Sequence, residues 1–458
     1  MGNSAFSVHE RRVVVVGAAR SGIAAAEQLA RRGAIVTLTE TRDGFEGAER
    51  LRTAGVHLEL GGHQRDTLAA ADLVVVSPGV SVEQPVFDEA RARGVEIVGE
   101  LELASRWTRG RVLAITGTKG KSTTTTLLGR MLTAAGRPVL IGGNIGVPLS
   151  AQVDASTPET LHVVETSSFQ LETTTTFRPW IAVWLNVADD HLDRHQNVAS
   201  YAAAKARIFA NQTAEDWALV NADDPVVSAR SEGVAAQRTF FALSGGIAAG
   251  FVVDGDWIVK RTVAGAEQLV PLSAVKLPGR HMLTNVLAAT AAASIAGATP
   301  TAMTEALREF RGLAHVMEPA GEVGGVRFVN DSKATNVEAA SRSIESFAGV
   351  VAIVGGRFKG GDLRRLREPL SLSGRAVVAI GEAAPLVRDA LSDLVPVVTA
   401  DSMADAVTRG YGLAAPDGVV LLAPACASFD WFCDYAERGE SFKDEVRRLV
   451  QMKQTSGR

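Results

Sequence analysis

With 458 residues, 46% of them hydrophobic and 21% charged, the chain has material for several buried cores and is not compositionally disordered; at about 150 residues per domain, three domains are expected. A formal net charge of -4 and a pI near 6.1 leave no basic excess to replace counterions along a nucleic acid. Only two cysteines occur, Cys426 and Cys433, which excludes a disulfide framework and a cysteine-built zinc site.

Residues 1–12 hold no apolar signal core, and the Ala-rich stretch 286–298 is interrupted by Thr290 and Ser294. A cytoplasmic protein without membrane insertion is therefore expected. Residues 12–17 are an apolar run closed by glycine and read as a buried parallel strand. A helix over 23–32 and a strand over 34–39 follow, and a further strand at 73–76 stops at Ser77-Pro78-Gly79. Strand and helix alternate to about residue 107, giving a small doubly wound unit. A second unit opens with a strand at 111–116, a Gly/Lys/Ser loop and a helix over 123–135. Strands are predicted at 162–165, 181–186 and 217–221, an antiparallel edge at 239–275, and helices at 283–295 and 301–310. The last unit starts near Gly312 and carries strands at 349–354, 376–380 and 418–422. The expected fold class is α/β, with three domains in series.

The strongest local signal is Thr116-Gly117-Thr118-Lys119-Gly120-Lys121-Ser122-Thr123, between a strand and a helix. Glycines let backbone N–H groups turn inward around a phosphate chain, and the following helix adds its positive end. Lys121 can reach terminal phosphates, and Ser122 can offer its hydroxyl to Mg²⁺. The pattern is a variant, with Ile115 where the strict motif has glycine. By contrast, Gly17-Ala18-Ala19-Arg20-Ser21-Gly22 lacks the middle glycine of a dinucleotide fingerprint, and nothing later resembles a hydride-transfer centre. Glu40-Thr41-Arg42, after the second strand, suits a base or ribose.

Glu165 ends an apolar strand on the same side as the phosphate loop, where a carboxylate can hold Mg²⁺; a helix N-terminal acid is the alternative. His191, in the segment 186–195, is the best placed of the eight histidines for a metal or phosphate contact. A lone histidine is more often structural. On composition alone, Lys205 would be an ordinary surface lysine.

These segments jointly resemble the Mur ligase family. The match runs through Ser77-Pro78-Gly79, residues 116–123, Gly143-Asn144-Ile145-Gly146, and residues 165–172, 186–194 and 201–205. It continues with Gly279-Arg280-His281, Asn285, residues 330–336, Gly355-Gly356 and residues 423–430, in the family's order. The resemblance implies a Rossmann-like UDP-substrate-binding domain over 1–108, a central P-loop ATPase domain over 109–311, and a Rossmann-like domain over 312–458 for the amino acid and ATP. By that analogy Ser21, Thr41, Arg42, Ser77 and Gly79 bind the UDP part, and Asn144 the sugar-peptide part. Gly117, Thr118, Lys119, Gly120, Lys121, Ser122 and Thr123 would hold ATP, with Asn285 at adenine and Asp331 and Lys333 in the ATP and catalytic cleft. Ser122, Glu165, His191 and Lys205 would organise two Mg²⁺ ions, with Lys205 matching the family's carbamylated lysine. Thr335, Lys359, Ser428 and Tyr435 match positions around a D-glutamate acceptor.

The implied activity is ATP-driven joining of D-glutamate to UDP-N-acetylmuramoyl-L-alanine through an acyl phosphate, by a monomer. The sequence departs from the family at Met282, at Val316, where an arginine is usual, and at Tyr435. The rival readings are a sister or folylpolyglutamate-type ligase, an L-glutamate-specific one, or a non-catalytic nucleotide-binding scaffold.

Overall fold

A computed structural model describes residues 6–188, 194–277 and 279–456. Its first sheet is built from β1 (Arg12–Val16), β2 (Ile35–Glu40), β3 (His57–Leu60), β4 (Leu73–Val76) and β5 (Glu96–Gly99), all parallel in the order β3-β2-β1-β4-β5. The valine run of β1 is buried on both faces. Val13 and Val15 pack with Leu29 and Leu38 on one side, and Val14 and Val16 with Leu68 and Phe87 on the other. That double burial is why β1 and β4 read as continuous apolar runs rather than alternating ones.

The second sheet comprises β6 (Arg111–Thr116), β7 (Val139–Gly143), β8 (Leu161–Glu165), β9 (Ile181–Trp184), β10 (Trp217–Asn221), β11 (Gln237–Ala242), β12 (Gly250–Asp254), β13 (Trp257–Thr262) and β14 (Gly265–Pro271). Its order is β14-β13-β12-β11-β10-β9-β6-β8-β7, and only the β12–β13 and β13–β14 pairs are antiparallel. The predicted antiparallel edge is thus present, although β11 and β12 first extend the parallel ladder. After β8 the chain crosses to the other side of β6. That reversal is a topological switch point at the carboxyl ends of β6, β8 and β9, the position where open α/β sheets bind ligands. The Ala-rich helix Arg280–Ile295 is buried along Val286–Ala289 and Ala291–Ala293, a core helix rather than a span. No described helix is long and apolar enough to cross a membrane.

The third sheet comprises β15 (Glu318–Val323), β16 (Val326–Asn330), β17 (Val350–Gly355), β18 (Gly374–Ile380), β19 (Val397–Ala400) and β20 (Val419–Leu422), in the order β15-β16-β20-β17-β18-β19. It is parallel except for the β15–β16 hairpin. The chain divides into two compact units, residues 1–310 with the first two sheets and residues 311–458 with the third. Several predicted helices begin earlier than expected: 23–32 is Arg20–Arg31, and 123–135 is Lys121–Ala134.

Within the first unit, one carboxylate joins the segment between the two sheets to the second sheet's loops. Glu102, on the helix Glu100–Ser105, is fully buried. Its oxygens accept the amides of Thr175 (2.9 Å), Thr176 (3.0 Å) and Phe177 (2.9 Å), the Thr175 hydroxyl (3.0 Å) and Arg106 Nε (3.0 Å). Burial pushes its pKa up, but these donors outweigh burial and hold it below the ordinary 4.5. A carboxylate whose folded pKa is depressed stabilises the fold at higher pH, and that contribution is lost as pH falls. Glu102→Ala should therefore cost about 3 kcal/mol at pH 7. The deficit relative to the parent should shrink once pH drops below about 4.5. Thermal denaturation of both proteins across pH checks this; an equal melting temperature at pH 7 would contradict it.

Candidate active site

The loop after β6 is braced from β9's continuation. Asn186 Oδ1 accepts the amides of Thr118 (3.0 Å) and Lys119 (2.9 Å), and its Nδ2 donates to Lys119 O (3.0 Å). Thr118 is tied further: its amide donates to Asn186 O (3.0 Å) and its hydroxyl accepts the Ala188 amide (3.0 Å). Two loop amides are therefore occupied by Asn186. The helix Lys121–Ala134 starts without a side-chain cap, so its first amides present a positive end suited to an anion. Gly120 makes that start possible, with φ of +84°; a Cβ there would lie 2.1 Å from Asn285 Oδ1. Asn285 is buried against the loop, and its Nδ2 lies 3.8 Å from Met282 Sδ.

Two ammonium groups meet at one carbonyl. Gly117 O accepts from Lys121 Nζ (2.9 Å) and from Lys205 Nζ (2.8 Å), and Lys121 also donates to Thr118 O (3.0 Å). Lys205 is 1% exposed, on a helix capped by Asn197 and beside the Tyr201 ring. The surface-lysine alternative is thereby corrected.

Glu165 stands opposite Ile115 in the β8–β6 pairing, so the ladder itself sets the carboxylate beside the loop. It is 2% exposed. Its Oε1 accepts Asn144 Nδ2 at 2.7 Å, and its Oε2 is buried with no partner among the described residues. The next helix, Ser168–Glu172, is capped by Ser167 in a reciprocal box with Gln170, and its first turn has no acid. Glu165 is therefore not serving as a helix N-terminal acid. An orphaned buried carboxylate oxygen next to a serine-bearing loop fits a divalent cation. Among the described residues no three His, Cys, Asp or Glu side chains converge. His191 lies outside the described residues.

In the first sheet, Glu40 organises the turn that carries Thr41 and Arg42. Its carboxylate accepts the amides of Ala18 (2.7 Å), Thr41 (2.9 Å) and Arg42 (3.2 Å). Burial presses its pKa up, yet Arg42, Ala18 and Thr41 hold it at about 2. Thr41 and Arg42 are exposed, Ser21 is half-buried at its helix start, and Ser77 Oγ donates to Gly17 O at 2.8 Å. Gly79 is exposed, and Arg194 links its turn to the second sheet, donating to Val80 O (3.1 Å) over the Phe169 ring.

In the second unit, Asp331, Lys333 and Thr335 follow β16. Asp331 is 6% exposed and accepts the Met317 amide and the Ser343 hydroxyl; burial raises it to about 6. Ala425 N donates to Ala334 O (2.9 Å), and Arg357 and Ala427 exchange backbone hydrogen bonds (2.9 and 3.0 Å). These contacts stitch the Lys333–Thr335 turn, the turn leading to Lys359 and the Ser428 segment together. Ser428 is buried, while Lys359 and Tyr435 are exposed. Cys426 is buried and Cys433 is exposed.

Sequence reasoning assigned no role to Asn186, although it stands inside a matched segment. Asn186→Ala would leave the Lys119 amide and carbonyl without their side-chain partner, while Thr118 keeps its bond to the Asn186 carbonyl; it should lower kcat/KM for ATP about tenfold or more with the fold retained. Steady-state kinetics beside circular dichroism check this; an unchanged nucleotide kcat/KM would contradict it.

Three family models match this chain: Mur ligase MurD-like, N-terminal domain, over residues 11–99; Mur ligase middle domain over 115–293; and Mur ligase, glutamate ligase domain, over 317–426. A UDP-N-acetylmuramoylalanine--D-glutamate ligase of Acidobacterium capsulatum is 45% identical over 442 residues, 95% of this chain and 96% of that protein. Its namesake from Pelotomaculum thermopropionicum is 42% identical, covering 96% of this chain and 98% of the relative. Among solved structures, a pseudomurein peptide ligase type C from Methanothermus fervidus superposes with a TM-score of 0.60 at 16% identity, over 96% of this chain and 100% of that one. UDP-N-acetylmuramate-alanine ligase from Thermotoga maritima gives 0.57 at 20% identity, over 97% and 100%. Those two likenesses concern the fold.

Proposed function

The chain belongs to the Mur ligase family, and from that premise we propose that its loop after β6 seats ATP for the ligation of D-glutamate to UDP-N-acetylmuramoyl-L-alanine. The protein is an ATP-dependent, amide-bond-forming ligase of peptidoglycan precursor synthesis. One observation carries the site assignment: the uncapped helix start, Lys121 and the Glu165 oxygen that has no partner among the described residues lie at the ends of β6 and β8.

In this reading residues 1–108 bind the UDP part through Ser21, Thr41, Arg42, Ser77 and Gly79. Residues 109–311 bind ATP through Gly117, Thr118, Lys119, Gly120, Lys121, Ser122, Thr123 and Asn285. Residues 312–458 contribute Asp331 and Lys333 to the ATP and catalytic cleft. They also hold the amino acid through Thr335, Lys359, Ser428 and Tyr435. Ser122, Glu165, His191 and Lys205 would hold two Mg²⁺ ions, which when bound neutralise charge on the phosphate oxygens. Asn144, fixed by Glu165, would orient the sugar-peptide carboxylate.

A carboxylate oxygen of the alanyl group attacks the γ-phosphorus, forming one P–O bond as the bond to ADP breaks. Lys121 would leave its loop carbonyls to meet charge spreading over the transferred oxygens. The D-glutamate amine then attacks the acyl carbon, loses a proton, and phosphate departs with the oxygen that came from the carboxylate. Activation is needed because a bare carboxylate is a poor electrophile. Carbamylation of Lys205 would replace one of two cations at Gly117 O by an anion, removing a like-charge pair and supplying a metal ligand. The protein would work as a cytoplasmic monomer.

Phosphate release with ATP, Mg²⁺ and the nucleotide-sugar substrate should require D-glutamate and fail with L-glutamate, L-lysine or no amino acid. Lys121→Ala should abolish it with the fold intact. Turnover with another amino acid, or none with any, would overturn the acceptor assignment. ¹³C-bicarbonate should give a carbamate resonance that Lys205→Ala removes.

A further inference from the structure

The second unit buries one arginine almost completely. Arg438, in the first turns of the helix Tyr435–Ser456, is 1% exposed. Its Nε donates to Ser332 Oγ (3.0 Å), its Nη2 to Ser332 O (2.9 Å) and its Nη1 to Cys426 O (3.1 Å). No described carboxylate forms an ion pair with it; Asp430 acts on it only as a nearby charge. Burial pulls the guanidinium down to about 10, so it stays charged at neutral pH. Burying a charge this way is tolerated only when its hydrogen bonds are met, and here neutral oxygens meet them.

What those oxygens belong to gives the arginine its meaning. Ser332 lies between Asp331 and Lys333, and its hydroxyl donates to Tyr435 O at 2.7 Å. Cys426 lies two residues before Ser428. The turn toward Lys359 backs onto the same group: a Cβ on Gly356 would sit 3.2 Å from Arg438 Nη1 and 2.2 Å from Ala427 O. Two segments bearing proposed acceptor contacts thus accept from one planar fork of donors, and the turn toward Lys359 packs against it. An apolar side chain would fill the space equally well but could not fix their spacing. A lysine carries the charge but, as a single point, cannot span Ser332 and Cys426 together.

We propose that Arg438 is a positioning residue for the amino-acid acceptor, setting the distance between the Lys333–Thr335 turn and Ser428 and placing a fixed positive charge behind a dicarboxylate. This rests on the D-glutamate reading above. Arg438→Lys should raise KM for D-glutamate about tenfold or more, while KM for the nucleotide-sugar stays within about twofold of the parent. Ser332→Ala, which keeps the arginine, should raise KM for D-glutamate in the same selective way and show less than additive loss when combined with Arg438→Lys. If Arg438→Lys does not fold, Ser332→Ala alone decides. An unchanged KM for D-glutamate in a folded variant, or equal rises in the KM values of both substrates, overturns the proposal. Should the parent enzyme use a different amino acid, the preceding reading fails, and the same KM comparison with that amino acid still decides the role of Arg438.

Discussion

Asn186 commits its whole side-chain amide to the loop after β6, accepting from Thr118 and Lys119 and donating back to Lys119 O. The shape of the loop that leads into the helix start at Lys121 depends on that brace. It joins the ends of two neighbouring parallel strands, β6 and β9, so the loop's shape is set by the sheet and not by the loop alone. A loop of glycines has high conformational entropy, and a seat for a polyphosphate must be formed before the ligand arrives if binding energy is to favour the transition state. The side chain fixes the Thr118 and Lys119 amides and leaves the helix start at Lys121 uncapped, as an electropositive end.

Near the brace, Lys121 and Lys205 converge on Gly117 O, and Glu165 keeps one buried oxygen without a partner among the described residues. A buried carboxylate oxygen left this way is costly in a folded chain, and proteins retain such a group where a ligand completes it. A divalent cation is a species that would complete it.

Much of this was legible in the residues. The alternation of apolar runs and glycine turns located β1, β4, β6, β8, β10, β17, β18 and β20, because strands buried on both faces leave an unmistakable signature. Strands at sheet edges did not. His57-Leu58-Glu59-Leu60 is half polar, β7 ends in two glycines, and β15 contains proline and glycine, as edge strands often do. Within the candidate site, the glycine- and lysine-bearing turn after β6 and the strand-end position of Glu165 were legible by residue type and place in the chain. The burial of Lys205, the bracing by Asn186 and the convergence on Arg438 were not. Each depends on contacts between segments 60 or more residues apart, such as Asn186 with Lys119 and Arg438 with Ser332.

The account's central claim is that the substrate carboxylate is itself phosphorylated at this loop. Placing ¹⁸O in the alanyl carboxylate of the nucleotide-sugar and analysing the released inorganic phosphate by mass spectrometry tests it directly. One labelled oxygen should appear in the phosphate for each amide bond formed. Unlabelled phosphate accompanying full product formation would contradict the account.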